Sequence, residues 1–374
     1  MSGIYVHIPF CKQKCSYCDF HFSTNLKLQN DLVDSLCKEI ELQKDYLSEA
    51  PQTLYFGGGT PSILSQENLS RIFEALHKYF DLSQLSEVTF ESNPDDHSVE
   101  NLRFWKSLGI NRLSIGIQSF IDRDLKLMNR AHNADHAKQC VEQAREAGFE
   151  SLSIDLIYGI PDQSFDQWKA NVQEAIQLNP DHISAYCLTV EPKTALAHMV
   201  AKGEIFEKSD EVIEQEYLYL HQTLEAAGYE HYEVSNFSKP GKRAAHNSNY
   251  WSGKAYLGIG PSAHSFDGNR KRQWNISNNP TYIKKLRTSE EWFDTETLKE
   301  TERYNEMIMT GLRTKSGIDI SAWPSKTQEE LLSSIHKLPT QLKSSIAEDH
   351  GRIRISPERW LVSDAIIREI ILSS

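Results

Sequence analysis

Six short apolar stretches, each followed by an amphipathic helical pattern, constrain this chain more than any other feature. The stretches cover residues 4–8, 53–56, 87–91, 112–118, 152–158 and 182–188. Over residues 28–47, Leu28, Leu32, Leu36 and Ile40 recur at four-residue steps. After Ser65, Leu69, Ile72, Phe73 and Leu76 gather on one helical side. Further helices are predicted over residues 134–147, 165–178 and 212–226, with Gly148 and Gly228 placed as stops. Such alternation builds a parallel sheet with helices outside it. Six repeats within residues 1–235 predict an α/β chain folded as a partial (β/α)6 barrel rather than a closed eightfold one.

Strand side chains alternate between two faces, so the pattern also says what points inward. Val88 and Phe90 share one face, as do Leu113, Ile115 and Ile117, and Leu152, Ile154 and Leu156. These bulky faces should meet the helices, leaving Thr89 and Glu91, Ser114, Gly116 and Gln118, and Ser153 and Asp155 for the interior. A filled barrel core is dominated by branched apolar residues; here those go outward. Glu91, Gln118 and Asp155 are therefore expected to converge inside, late in their strands, where barrel enzymes place their active sites. The competing reading has each carboxylate capping a helix or pairing with a surface lysine.

The formal charge of −12 on 374 residues argues against general affinity for nucleic acid or an anionic membrane surface. No run approaches the roughly 20 apolar residues needed to cross a bilayer. Together with few cysteines and no leader peptide, this predicts a cytoplasmic, non-integral protein.

Three of the six cysteines, Cys11, Cys15 and Cys18, fall within eight residues in the spacing Cys-x3-Cys-x2-Cys. Offsets of four and seven would align them on one helical face, but the intervening Lys12, Gln13, Lys14, Ser16 and Tyr17 form no clean stripe. A disulfide, and a Cys3His zinc site using His7 or His21, are two further readings. The fourth is an iron-sulfur cube held by closely spaced thiolates, one iron being left open for a ligand. This spacing resembles the radical S-adenosylmethionine (SAM) superfamily, which implies one-electron chemistry on SAM at the open iron.

Gly57-Gly58-Gly59-Thr60-Pro61-Ser62 follows the second strand. Glycines there allow a sharp bend or close backbone approach to a ligand, and no dinucleotide or Walker pattern accompanies them. Arg130 lies beyond the fourth strand, within possible reach of a carboxylate. Composition shifts after residue 235. Residues 236–296 read as a connecting region that contains His246-Asn247-Ser248-Asn249-Tyr250-Trp251 and a glycine-rich stretch ending at His264. A histidine beside two aromatics is either a packed structural residue or an axial ligand for haem iron. Residues 297–374 predict a small helical, winged-helix-like domain, with a strand near 352–356 and a closing helix at 362–372. The overall acidity of the chain and the absence of an evident basic recognition stripe favour a docking or lid role over DNA binding.

With these residues assembled, the chain resembles the family of oxygen-independent coproporphyrinogen III oxidases and their haem-chaperone relatives. The resemblance rests on residues 5–11, the Gly-Gly-Gly-Thr-Pro run, residues 111–118 and residues 155–159. It implies Cys11, Cys15 and Cys18 as ligands of a 4Fe–4S cluster. Around SAM it implies Tyr5, Tyr17, Gly58, Gly59, Thr60, Glu91, Gln118, Arg130 and Asp155. Oxidases of the family carry a fourth cysteine where this chain has Phe20, and an N-terminal extension where only ten residues precede Cys11. The His-Asn-x-x-Tyr-Trp stretch is similar to the haem-binding motif of the chaperone branch, which implies His246 as the iron ligand. The implied function is a haem chaperone that binds a cluster, SAM and haem, takes electrons from a donor and passes haem to acceptor proteins. The alternative is the oxidative decarboxylase itself, and a third reading is a zinc-stabilised barrel.

Overall fold

The computed structural model describes residues 2–372. Its main feature is one open sheet, to which the six expected strands contribute β1 (Gly3–Ile8), β2 (Thr53–Gly58), β3 (Glu87–Ser92), β4 (Arg112–Gln118), β5 (Ser151–Tyr158) and β6 (His182–Cys187). These six run parallel and pair in sequence order. Right-handed crossovers then place the connecting helices on one side and curl the sheet. The sheet continues on both flanks. β7 (Glu230–Glu233) and β8 (Asn236–Ser238) extend it beyond β6, while β9 (Tyr256–Ile259), β10 (His264–Phe266), β11 (Lys271–Asn275) and β12 (Phe293–Thr297) extend it beyond β1. Residues 236–296, read from sequence as a connection, thus hold strands of the same sheet. Their strands are three to five residues long, too short for alternation to reveal them.

The outer layer consists of α1 (Gln29–Leu42), α2 (Gln66–Tyr79), α3 (Val99–Ser107), α4 (Asp122–Leu127), α5 (Ala134–Glu146), α6 (Phe165–Gln177), α7 (Ala195–Ala201) and α8 (Asp210–Ala226). Ser65 Oγ accepts the Asn68 N–H to start α2, and Ser164 and Gln167 form a reciprocal cap on α6. The predicted outward faces are buried under these helices: Phe90, Leu113, Ile115, Leu152 and Ile154 are 0% exposed. In register, Phe90 stands beside Leu113 and Leu113 beside Leu152, so the apolar side is continuous across three strands.

A short helix, α9 (Ala245–Trp251), lies against the starts of the strands, and α10 (Asn279–Thr288) packs on α1. One buried carboxylate ties the flanking strands to the barrel. Glu39 of α1, 0% exposed, accepts hydrogen bonds from Gly260 N–H (2.7 Å), Asn275 Nδ2 (2.6 Å), Trp292 Nε1 (2.9 Å) and the Tyr282 hydroxyl. The C-terminal part consists of α11 (Glu300–Gly311), α12 (Ser325–Lys337), α13 (Thr340–Lys343), α14 (Ser363–Ile370) and a three-stranded antiparallel sheet. That sheet contains β13 (Ile318–Asp319), β14 (Ile346–Asp349) and β15 (Arg352–Ile355), in the order β13-β15-β14. Arg359 reaches Glu214 of α8 at 3.1 Å, and Val234 N–H donates to Arg313 O at 2.8 Å, so this part rests on the barrel flank. No helix among the described residues is long and apolar enough to cross a membrane.

Candidate functional site

β1 carries Tyr5 and His7 inward and runs directly into the cysteine loop. That loop is laced to the segment after β4. Ser16 N–H donates to Met128 O (3.0 Å), Ser16 Oγ to Leu127 O (2.8 Å), Gln13 Nε2 to Asn129 O (2.7 Å) and Asn129 Nδ2 to Lys14 O (2.7 Å). Protein contacts alone therefore set its shape. Cys11, Cys15 and Cys18 are free thiols that line one cavity of about 870 Å³.

Two polar groups attend the sulfurs. Thr60 Oγ1 donates to Cys11 Sγ at 3.5 Å and Arg130 Nη1 to Cys15 Sγ at 3.3 Å. Arg130 is itself held by Asn93 Oδ1 (2.6 Å) and Gly116 O (2.7 Å), while its Nε is buried with no partner. Burial pushes the Cys11 thiol up to about 11 and raises Cys18 as well. Such thiols become thiolates when a metal replaces their protons.

Among the described residues, no group of three or more His, Cys, Asp or Glu side chains is arranged to hold a single metal ion. His7, 7% exposed, has Nδ1 on the Tyr5 hydroxyl (3.0 Å) and Nε2 on His21 O (3.1 Å), which leaves it no lone pair for zinc. Three soft donors spread along one loop, with a guanidinium beside them and no fourth protein ligand, fit a multi-iron cluster with an open position.

A second lobe of about 1240 Å³ adjoins the first and shares Gly58, Glu91, Gln118 and Asp155 with it. Glu91 is anchored from two sides: the Tyr55 hydroxyl donates to Oε1 (2.7 Å) and Gly58 N–H to Oε2 (3.2 Å). Burial, reinforced by the charge of Asp155, lifts Glu91 to about 7, and burial lifts Asp155 to about 6. Neither carboxylate has an ion-pair partner among the described residues, although Arg112 and Arg130 act on Asp155 from a distance, so this interior can receive a cationic ligand. Gln118 adopts φ 70°, rare for a residue with a side chain. A register shift between Ile115 and Gln118 sits at the same place, re-aiming the end of β4 into the cavity.

The glycines are sterically required. A Cβ on Gly58, whose φ is 107°, would stand 2.5 Å from the His7 ring, and one on Gly59 would stand 2.6 Å from Phe10 O. Both peptides are thereby pressed against the cavity edge, close to the cysteine loop.

Every residue implied as a cluster ligand or SAM contact lines these two lobes, whereas His246 does not. His246 lies on α9 at the opposite, N-terminal end of the strands and is 1% exposed. Its Nδ1 pairs with Thr53 Oγ1 (2.8 Å), its Nε2 with the Tyr250 hydroxyl (2.9 Å), and its ring meets that of Tyr55 at 5.1 Å, tilted by 31°. Glu87 caps the α9 N-terminus by accepting from Ala245 N–H (2.8 Å) and His246 N–H (2.9 Å). Burial lowers the imidazole to about 3. In this conformation His246 is a neutral, fully bonded floor residue and offers iron no free nitrogen. The structure thus sets His246 apart from the cavity that gathers the other implied residues, with Thr53 and Tyr250 on its two ring nitrogens, and the local sequence carries no sign of those partners.

Sequence reasoning gave His7 only a possible zinc role and overlooked Tyr55, Asn93 and Tyr186. Three of them were within its reach: His7 follows Tyr5 by two positions, Tyr55 precedes Gly57 by two, and Tyr186 follows Ser184 by two, so each shares its strand's inward face. Asn93 lies in a loop, where no period applies.

A model of the radical SAM superfamily matches residues 5–175, and a HemN C-terminal domain model matches residues 298–365. The chain is 33% identical over 377 residues to a protein of Mycobacterium tuberculosis named heme chaperone HemW, covering 99% of this chain and 94% of that one. A Bacillus subtilis protein of the same name is 35% identical over 327 residues, covering 85% of each. The fold is similar to that of the coproporphyrinogen III oxidase HemN from Escherichia coli, with a TM-score of 0.83 at 23% identity, over 99% of this chain and 90% of that one. The radical SAM family implies a 4Fe–4S cluster and SAM. The chain belongs to the HemW-type group of the oxygen-independent coproporphyrinogen III oxidase-like family, within the radical SAM superfamily.

Proposed function

We propose that this protein is a haem chaperone: it carries a 4Fe–4S cluster on Cys11, Cys15 and Cys18, binds SAM in the adjoining cavity and delivers haem to acceptor proteins. The observation that carries the reading is the relationship to heme chaperone HemW of Mycobacterium tuberculosis along 99% of this chain. Phe20 is consistent with it. This side chain stands at the cavity rim, 72% exposed, in the position where the oxidases of the family place another cysteine.

Each residue has a task in this reading. The three thiolates bind iron, and Arg130 offsets charge at Cys15. The Gly58–Gly59 backbone and the carboxylates of Glu91 and Asp155 receive the cationic methionine end of SAM, with Tyr5, Tyr17, Thr60 and Gln118 completing the wall. When bound, the cluster supplies an electron to SAM, so an external reductant is a required partner.

Anaerobic purification should yield iron and acid-labile sulfide in near-equal amounts, and each cysteine-to-serine change should abolish both. Haem titration should shift the Soret band. If the protein instead turns over coproporphyrinogen to protoporphyrinogen with SAM and a reductant, the oxidase reading replaces this one.

A further inference from the structure

Residues 111–118 carry part of the family resemblance, yet neither lobe gives Arg112 a task. Arg112 opens β4 and is 3% exposed. Its guanidinium makes one hydrogen bond, from Nη1 to Ser151 Oγ at 3.3 Å, and has no ion-pair partner among the described residues. Burying a charge is costly unless it is paired, so an interior cation with idle N–H donors marks a place where something negative belongs.

That place is a largely enclosed chamber of about 320 Å³, lined by Arg112, capped by Glu91 and Asp155 and closed at its lower end by Asn247 of α9. In register, Thr89 stands beside Arg112 and Glu91 beside Ser114, so Thr89 and Arg112 lie one pleat repeat, about 7 Å, beneath the Glu91 level. Thr89 is 0% exposed and its hydroxyl has no hydrogen-bond partner. Asn247 is half-buried, and its side-chain amide makes no hydrogen bond among the described residues. Two neighbours are already committed. His182 pairs with Ser153 Oγ at 2.7 Å and with the Tyr232 hydroxyl at 2.8 Å, and Glu87, two residues before Thr89, has both carboxylate oxygens on α9. A cation, an orphaned hydroxyl and an idle amide therefore converge on the lower end of one chamber, the donor set of a carboxylate site.

We propose that Arg112, with Thr89 and Asn247, grips a carboxylate in this chamber, and that the carboxylate is a propionate of haem docked at α9. This rests on the haem-chaperone reading and deepens it by naming where the acidic edge of the cargo is held. The chamber is too small for a macrocycle but admits one acid group. Asn247 neighbours His246 in the chain, so a haem whose iron meets α9 brings its propionate edge to the chamber floor. His246 must release Thr53 or Tyr250 for iron to bind, and a charge-assisted contact to Arg112 offsets part of that loss. Glu91 and Asp155, when ionised, repel an anion from the upper end and confine the group to the Arg112 level.

The test is a titration of the full chain with ferric haem and, in parallel, with haem dimethyl ester, whose carboxylates are blocked. Arg112→Gln should weaken haem binding by about tenfold or more and leave ester binding unchanged. Thr89→Val, which keeps the shape and removes the hydroxyl, should weaken haem alone by about fivefold. A folding defect would lower both affinities together, so the difference between haem and ester is the readout. A second arm melts wild type and Arg112→Gln in sodium formate against sodium chloride at equal ionic strength. If formate raises the wild-type melting temperature, Arg112→Gln abolishes that rise, and haem and ester still respond alike, the carboxylate site stands and its occupant is a free small anion rather than the cargo. If haem and ester respond alike and formate has no effect that depends on Arg112, the chamber holds only water and the proposal is overturned. If wild type binds neither haem nor its ester, the chaperone reading fails, and the formate arm alone decides whether the carboxylate site exists.

Discussion

The Tyr55 hydroxyl donates a 2.7 Å hydrogen bond to Glu91 Oε1, while the ring of the same tyrosine meets that of His246 at 5.1 Å, tilted by 31°. Floor helix and cofactor cavity are therefore coupled through one tyrosine. Tyr55→Phe removes the donor and leaves a buried carboxylate oxygen unpaired, a loss of about 1–1.5 kcal/mol. SAM binding measured by calorimetry should weaken roughly fivefold to tenfold. An unchanged dissociation constant would falsify the role given to Glu91.

Binding of SAM should depend on pH with a defined sign. Glu91 near 7 and Asp155 near 6 both lie above ordinary carboxylate values. A cationic ligand prefers their ionised forms, so binding releases protons and affinity should rise with pH, by up to about tenfold per unit between about pH 6 and 7, more steeply below pH 6 where both groups are protonated, and level off above pH 7. The ligand-free protein should show the reverse trend. Its folded state holds protons that the unfolded chain has lost, so the stability contributed by these groups is present at low pH and disappears as pH rises from about 4 to 7. Denaturant melts with and without SAM across this window check both signs.

Gly59 admits no side chain, because a Cβ would lie 2.6 Å from Phe10 O and 2.8 Å from Phe10 N, both immovable backbone atoms. Gly59→Ala should cost about 1–3 kcal/mol by forcing the cysteine loop and the glycine run apart. Iron content after reconstitution should fall with it. Wild-type iron content and melting temperature together would show that the two backbones separate freely.

Glu39 accepts four hydrogen bonds from α10, β11 and the loops after β9 and before β12, and burial raises its carboxyl above the usual range. Glu39→Ala strands all four donors in the interior, at about 1–3 kcal/mol for each that finds no substitute. The expected total is at least about 3 kcal/mol, read as a lower midpoint in denaturant. A midpoint within experimental error of wild type counts against the anchor.

The barrel was legible because its signals are local. Strand periodicity placed Leu113, Ile115 and Ile117 outward and Gln118 inward, and burial of the first three together with Gln118 lining the cavity agrees with this. Flanking strands were invisible for the converse reason. β10 has three residues, and its place in the sheet is fixed by pairing with β11 and by Glu39, 221 residues before Gly260 in the chain.

His246 marks the same division at the level of a single side chain. A histidine's type can be read from the chain, but its ring nitrogens are committed by partners such as Thr53, which lies 193 residues away from His246. By itself the sequence determined the sheet order, the inward carboxylates and the clustered thiols, because strand period and residue spacing act within a few positions. Only the tertiary structure decided that the His246 imidazole is sealed beneath the barrel, since hydrogen-bond saturation there depends on a segment far away in the chain.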